Sequence, residues 1–116
     1  MHTILLVEDD VKIATLLKEL LERYDFKVVV EDGRGDVIAT YEETNPDVIL
    51  LDVNLPKFDG FYWCRQLRMK TRAPILFISA RVGEMDQVMA LEYGADDFIV
   101  KPFQGAVVIA KIKSQI

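Results

Sequence analysis

The stretch VILLDVNLPKFDG, residues 48–60, combines a strand-length apolar run with an acidic residue at its end. Residues 48–51 are all apolar, which is typical of a strand buried on both faces of a sheet. Asp52 follows at once, and a loop containing Pro56 separates it from the next helical pattern. Helix capping therefore does not explain the carboxylate of Asp52.

Similar short apolar runs recur along the chain and alternate with amphipathic stretches. The predicted strands, rich in Val, Ile and Phe, are residues 3–7, 26–30, 48–51, 75–78 and 98–100. The predicted helices are residues 11–24, 36–43, 61–69, 85–93 and 107–116. The first helix has its apolar face at Ile13, Leu17, Leu20, Leu21 and Tyr24. This alternation predicts an α/β fold with a doubly wound, five-stranded parallel sheet of order 2-1-3-4-5.

The composition restricts the function classes. The length of 116 residues, 51% of them hydrophobic, suits one domain with one core region. A net charge of −5 without a dense basic run argues against binding of nucleic acid or an anionic membrane by this chain alone. The single cysteine, Cys64, excludes an internal disulfide and is expected to be a packing residue. With no signal-peptide pattern and no long apolar run, we expect a cytoplasmic protein.

Side chains that could react or bind a metal follow four of the five predicted strands. They are Glu8, Asp9 and Asp10 after strand 1, Asp52 after strand 3, Ser79 after strand 4, and Lys101 with Pro102 after strand 5. Strands 1 and 3 flank the point where the strand order reverses, and ligands bind in the crevice there. Carboxylates in one crevice repel each other, by about 4 kcal/mol for two charges about 4 Å apart. A hard divalent cation offsets this repulsion, and Mg²⁺ suits oxygen-only ligands.

A carboxylate beside a metal, a lysine and a hydroxyl fits phosphoryl transfer. Asp52 would be the nucleophile, while Mg²⁺ and Lys101 would stabilise the charge of the transferring group. The Ser79 hydroxyl would donate a hydrogen bond to a phosphoryl oxygen. Each of these residues could instead have a purely structural role. Asp10 in particular stands where the first helix needs an N-cap, which is its ordinary interpretation. The residues alone leave open which of the three acids after strand 1 would bind the metal.

In its motifs the chain resembles the receiver domains of two-component response regulators, over essentially all of its length. The matching stretches are ILLVEDD (residues 4–10), VILLDVNLPKFDG, ILFISA (residues 75–80) and GADDFIVKPF (residues 94–103). The resemblance implies a flavodoxin-like receiver fold and a signalling role in which Asp52 accepts a phosphoryl group from a sensor histidine kinase. It implies Mg²⁺ as cofactor, bound by Glu8, Asp9, Asp52 and the backbone carbonyl of Asn54.

The resemblance also implies a two-state switch. Ser79 takes the position of the switch hydroxyl, and Lys101 that of the family's lysine, which precedes a proline that is typically cis. Phe98 takes the position of the switch aromatic residue, which is often Tyr in the family. Asn54 and Arg81 fall at two variable positions that influence how fast the phosphoryl group is lost.

Phosphorylation would then change the surface formed by helix 4, strand 5 and helix 5. GADDFIVKPF and AKIK (residues 110–113) resemble a subfamily that dimerises through this surface and carries a winged-helix DNA-binding domain. The implied dimer contacts are Asp96, Asp97 and Lys111, while Gln87 and Val107 replace charges common there. We expect a homodimer on phosphorylation. The residues leave two alternatives open, a stand-alone receiver and a receiver from a longer regulator that controls transcription through an effector domain outside these 116 residues, and the second is favoured because AKIKSQI (residues 110–116) lacks the usual helix stop signals. LPKFDGFYWCRQLR (residues 55–68) is similar to regulators that respond to cell-wall-active antimicrobial peptides.

Three other classes of protein fit only part of the pattern. A flavin-binding protein shares the sheet order, but it needs a hydroxyl- or glycine-rich phosphate loop where this chain has three acids. An aspartyl phosphatase carries its nucleophile on the first strand with a second Asp two positions later, and VEDDVK (residues 7–12) does not fit. A degenerate receiver that serves only as a binding module would have lost an acid or the lysine, and this chain retains them all.

Overall fold

Strands and helices alternate along the chain as the sequence predicts. A computed structural model describes residues 1–80 and 83–116. The strands are β1 (Thr3–Val7), β2 (Lys27–Glu31), β3 (Val48–Asp52), β4 (Ile75–Ser79) and β5 (Asp97–Val100). The helices are α1 (Val11–Glu22), α2 (Val37–Thr44), α3 (Gly60–Arg68), α4 (Glu84–Glu92) and α5 (Gly105–Lys113). None of these helices has the length and apolar character needed to cross a bilayer.

The five strands form one parallel sheet in the predicted order β2-β1-β3-β4-β5. The order reverses between β1 and β3, which are hydrogen-bonded neighbours. Their register pairs Val7 with Leu51, so the residues that come next, Glu8 and Asp52, lie side by side at the carboxyl edge. The sheet topology therefore brings the two acidic strand ends together without any contribution from the loops.

Successive residues of the central strands face opposite sides of the sheet and form two separate cores. Leu6 and Leu50 face α1 and α5, whereas Leu5 and Leu51 face α2, α3 and α4. All four of these side chains are fully buried. Because helices cover both faces, the strands are apolar throughout, and polar groups occur where the strands end.

The first helix ends two residues earlier than predicted, and Tyr24 is not on its buried face. The backbone N–H of Phe26 donates to the carbonyl of Leu21 at 3.2 Å, and Asp25 adopts a φ of 66°. This turn carries Tyr24 outward, where its side chain is 48% exposed and the Lys113 ammonium lies 5.4 Å from the ring centroid. The prediction for Tyr24 was wrong because the helical spacing continues past the point where the chain turns.

Cys64 packs inside the core on the α3 side of the sheet, as expected. The residue is fully buried, and its thiol lies 3.3 Å from the backbone carbonyl oxygen of Tyr93. Burial raises the pKa of the Cys64 thiol to about 11, since the low-polarity surroundings disfavour the thiolate. The interpretation of Cys64 as a packing residue is therefore confirmed.

The loop between β3 and α3 folds back on β3, so that Gly60 contacts the end of that strand. The backbone N–H of Gly60 donates to the carbonyl of Val53 at 2.8 Å, and the Asp59 carboxylate caps α3 by accepting from the N–H of Tyr62 at 2.9 Å. A Cβ atom at position 60 would overlap the backbone carbonyl oxygen of Asp52. The absence of a side chain at Gly60 thus sets how closely α3 approaches Asp52.

We predict that Gly60→Ala destabilises the protein by about 2 kcal/mol or more, because the added methyl group meets rigid backbone. The matched control is Gly35→Ala, whose Cβ would meet only the Glu31 Oε1 atom at an ordinary 3.8 Å and should change the unfolding free energy by less than about 0.5 kcal/mol. Urea unfolding of both variants measures the difference. Equal stability of the two variants would contradict the close approach of α3.

Candidate functional site

Three carboxylates meet where β1 and β3 end. Glu8 and Asp9 directly follow β1, and Asp52 is the last residue of β3. One carboxylate oxygen from each of the three lies within 4.8 Å of the others. Glu8 is 1% exposed and Asp52 is 4% exposed, while Asp9 is half-buried. The cluster is therefore open to solvent mainly on the side of Asp9.

Asp10 does not join this cluster, and instead it caps α1. Its carboxylate accepts hydrogen bonds from the backbone N–H groups of Lys12 at 2.9 Å and Ile13 at 3.2 Å. The ordinary interpretation of Asp10 as an N-cap is thus confirmed. Its backbone N–H also donates to Glu8 Oε2 at 3.2 Å, which helps to orient the Glu8 carboxylate.

The Lys101 ammonium bridges the two buried acids. Its Nζ atom lies 2.5 Å from Glu8 Oε1 and 3.1 Å from Asp52 Oδ2. Lys101 follows β5, so its side chain reaches past the end of β4 to arrive between β1 and β3. The peptide bond from Lys101 to Pro102 is cis, as the family resemblance implies. One cation therefore stands between two carboxylates that would otherwise repel each other.

Burial and pairing shift the pKa values of both partners. Burial raises the pKa of the Glu8 carboxyl above its ordinary value, and the neighbouring Asp52 raises it further, by more than Lys101 lowers it. Burial alone would lower the pKa of the Lys101 ammonium, but the hydrogen bond to Glu8 and the charge of Asp52 more than offset this, so that pKa is also raised. The crevice thus holds more negative charge than one lysine neutralises.

The donor set of this crevice fits a hard divalent cation. Three carboxyl groups face one ammonium group, so the acidic groups of the crevice outnumber its cation. All of the ligand atoms in the cluster are oxygen, and Asp9 is accessible from solvent. Mg²⁺ prefers such ligands and commonly binds through one or two carboxylates while it retains water. Glu8, Asp9 and Asp52 are therefore suited to hold it.

Ser79 ends the strand next to β3 and is fully buried. Its neighbour Ile78 pairs with Asp52 in the sheet register, which puts Ser79 at the same edge as the carboxylates. Asn54 is exposed, and its backbone N–H lies 3.3 Å from Asp52 Oδ1. Arg81 lies outside the described residues, so its predicted influence on phosphoryl loss stays a prediction.

The residues predicted for a dimer interface make pairs within the chain. Lys111 Nζ lies 2.9 Å from Asp97 Oδ1, and Arg68 Nη2 lies 2.5 Å from Asp96 Oδ2. Phe98 follows Asp97 on β5 and is half-buried against the core on the α3 side. The roles of Asp96, Asp97 and Lys111 in a dimer stay predictions.

An apolar recess of about 440 Å³ adjoins Lys101, and the sequence analysis did not identify it. It is lined by Ile13, Leu16, Ala80, Lys101, Pro102 and Phe103. Leu16 is 55% exposed although it lies on a helix whose outward positions are otherwise mostly polar. The recess was not predicted, and an outward leucine on α1 is the feature of the sequence that could have indicated it.

Comparison with known proteins places the chain among receiver domains. A family profile described as the response regulator receiver domain matches residues 4–113. YvcP, a transcriptional regulatory protein of Bacillus subtilis strain 168, is 55% identical over 114 residues, which are 98% of this chain and 48% of that protein. GraR, a response regulator protein of Staphylococcus aureus strain JH9, is 51% identical over 111 residues, which are 96% of this chain and 50% of that protein. The chain thus spans about half the length of these relatives.

Solved structures give the same result. The BeF₃-activated N-terminal receiver domain of Klebsiella pneumoniae RstA is 37% identical, with a TM-score of 0.93 and 97% of both chains covered. The N-terminal domain of the nisin resistance regulator NsrR, a lantibiotic response regulator, is 44% identical, with a TM-score of 0.90 over 99% of this chain and 97% of that one. The fold and the sequence therefore agree on one family.

We predict that Lys101→Met lowers the free energy of unfolding by about 3–5 kcal/mol near pH 7 in the presence of EDTA, because two buried carboxylates lose their cation. Lys101 lowers the pKa of Glu8, so its loss raises that pKa further in the folded state, and folding of the variant favours proton uptake there more strongly than folding of wild type. The deficit relative to wild type should therefore shrink as the pH falls from about 7 to about 5. Urea unfolding at several pH values measures both effects.

The matched control is Lys18→Met, which removes an exposed lysine of α1 and should change the unfolding free energy by less than about 0.5 kcal/mol. A deficit for Lys101→Met that stays the same at every pH would contradict the excess negative charge in the crevice.

Proposed function

The chain belongs to the response regulator receiver family, and on that premise we propose that Asp52 accepts a phosphoryl group from a phosphohistidine of a sensor histidine kinase. The observation that carries the proposal is the setting of Asp52. Its carboxylate ends a buried strand, lies 3.1 Å from the Lys101 ammonium, and has two further acids beside it. This is a nucleophile with a cation already held at the reacting position.

In the proposed transfer, an Asp52 carboxylate oxygen bonds to phosphorus while the bond from phosphorus to the imidazole nitrogen breaks. Lys101 neutralises charge on the phosphoryl oxygens, and the Ser79 hydroxyl donates a hydrogen bond to one of them. Glu8, Asp9, Asp52 and the backbone carbonyl of Asn54 would hold Mg²⁺. When bound, this ion adds positive charge beside the transferring group. The chain thereby promotes its own phosphorylation and slow dephosphorylation without acting on a separate substrate.

The apolar recess beside Lys101 supports a protein as the phosphoryl donor. Leu16 and Phe103 offer apolar surface next to the reacting position, and an amphipathic helix could place its apolar face there. A phosphohistidine on such a helix would then approach Asp52 from the open side of the crevice.

Phosphorylation would give Asp52 a phosphoryl group with nearly two negative charges and three acceptor oxygens, while the carboxylate loses its own charge on becoming an acyl phosphate. We expect Ser79 to move toward the phosphoryl group and Phe98 to turn into the space that it leaves. The surface of α4, β5 and α5 then changes, and Asp97 and Lys111 exchange their pairing within the chain for pairing across a dimer.

The output proposed for this switch is transcription. YvcP is described as a transcriptional regulatory protein, and this chain covers 48% of its length. We propose that the remaining half of the protein that contains this chain carries a winged-helix DNA-binding domain. The likeness to NsrR, a lantibiotic response regulator, supports antimicrobial peptides as the input signal.

We predict that incubation with acetyl phosphate and Mg²⁺ adds the mass of one phosphoryl group to the wild-type chain and none to Asp52→Asn. Intact-mass spectrometry under mild conditions measures the addition. The matched control Asp25→Asn changes an acid outside the crevice at a positive-φ position that asparagine also accepts, so it should label like wild type. Absence of labelling in wild type, or equal labelling of Asp52→Asn, would eliminate the phosphoacceptor hypothesis.

We predict that Asp9→Asn weakens Mg²⁺ binding by at least about tenfold, because a charged oxygen ligand is lost. Asp10→Asn is the matched control, since asparagine also caps helices and Asp10 lies outside the cluster. Thermal unfolding at increasing Mg²⁺ concentration measures both affinities, because a bound ion raises the melting temperature. Equal affinities of the two variants would argue against Asp9 as a ligand.

A further inference from the structure

A groove between α2 and α3 has a lining that the phosphoacceptor site does not explain. Its volume is about 530 Å³, and we call it the aromatic groove; the residues that define it are Ile38, Lys57, Phe58, Tyr62, Trp63 and Lys70. The volume is within the range of about 300–1,000 Å³ that is typical of ligand clefts. The groove lies on the α2–α4 side of the sheet, opposite the recess beside Lys101.

Phe58 and Tyr62 form an exposed aromatic platform. Phe58 is 49% exposed and Tyr62 is 38% exposed, and their rings stack at 4.2 Å with an interplanar angle of 21°. Both rings also meet the edge or face of Trp63, at centroid distances of 5.8 Å and 5.0 Å. Stacked rings that are held in place but left open to water are typical of binding surfaces, because they bury a large area at a low cost in conformational entropy.

Trp63 adds a hydrogen-bond donor that lacks an acceptor. The residue is 5% exposed, and its indole Nε1–H has no hydrogen-bond partner within the part of the chain that the structure describes. A buried donor left without an acceptor is destabilising, and buried indole N–H groups usually have a partner. Phe58, which contacts the Trp63 ring edge-on, belongs to the β3–α3 loop. An oxygen acceptor that enters the groove beside Trp63 would satisfy this N–H.

The charges around the aromatic groove favour an anionic occupant. Lys57 is exposed, and the only ion pair described for Lys70 is a long contact of 3.7 Å to Glu42. The one acid that lines the groove, Asp36, is already used as the N-cap of α2, where it accepts from the N–H groups of Ile38 and Ala39 at 3.0 and 3.3 Å. Two lysines therefore remain available in a chain whose net charge is −5.

We propose that the aromatic groove binds an acidic peptide segment of a partner protein. An apolar side chain of the peptide packs on Phe58 and Tyr62, a carbonyl or carboxylate oxygen accepts from the Trp63 N–H, and acidic side chains pair with the two groove lysines. A second copy of this chain fits less well, because a symmetric pair would bring the same lysines face to face. The contact is independent of the proposed phosphorylation, since its residues are separate from the carboxylate crevice.

The test is selection of a random peptide library displayed on phage against the immobilised wild-type chain. We expect enriched peptides that combine Asp or Glu with a large apolar side chain. The double variant Lys57→Glu, Lys70→Glu should bind a selected peptide on the order of tenfold more weakly or worse, and Phe58→Ala should lose a similar amount. The matched control is Lys12→Glu, Lys18→Glu, which reverses two exposed charges on α1 and should keep wild-type affinity.

Trp63 is the only tryptophan of the chain, so its emission reports directly on the groove. Binding of the selected peptide should shift the emission of wild type, and Trp63→Phe should bind more weakly because it lacks the N–H donor. Enrichment of basic or uncharged peptides, equal affinity of the two double variants, or an unchanged emission spectrum would overturn the proposal. Self-association of wild type that Lys57→Glu, Lys70→Glu abolishes would assign the groove to a second copy instead.

Discussion

The chain carries out its proposed chemistry only because one ammonium group balances two buried carboxylates. Lys101 lies within hydrogen-bonding distance of both Glu8 and Asp52, although the three residues come from three different strands. Burial makes this balance incomplete, as the raised pKa of Glu8 indicates. A crevice with this excess of acidic groups is suited to a metal ion, and in the proposed transfer the same lysine would face the phosphoryl group at Asp52. The electrostatic repulsion within the crevice and its proposed reactivity have the same origin.

The sheet imposes the position of this crevice. Parallel strands with helices on both faces leave no place for a charge except at their ends, and the reversal of strand order puts the ends of β1 and β3 side by side. Gly60 completes the arrangement by letting α3 start directly against the backbone of Asp52. The position of Asp52 is therefore fixed by main-chain geometry, and the long side chain of Lys101 reaches to it.

The strands, their order and the residues at their ends follow from the sequence, because buried parallel strands require continuous apolar runs. The N-cap at Asp10 could be predicted for the same kind of local reason. The pairing of Lys101 with Glu8 could not be predicted from the sequence, since it depends on how far the lysine side chain reaches past β4. Tyr24 was wrongly predicted to lie on the buried face of α1, because the spacing of apolar residues does not show where the chain turns. The aromatic groove was not predicted, because it depends on which faces of α2 and α3 remain uncovered. The consecutive aromatic residues of α3 are the feature of the sequence that could have indicated it.

The two cores on opposite faces of the sheet have a further consequence. Among the described residues, the core under α1 and α5 shares no buried side chain with the core under α2, α3 and α4. A substitution in one helical layer therefore touches directly only the core on its own side of the sheet. During evolution, the helices on one face of such a sheet can change while those on the other face are retained. Gene duplication followed by changes in one helical layer would give related domains that differ on one face and keep the same surface on the other.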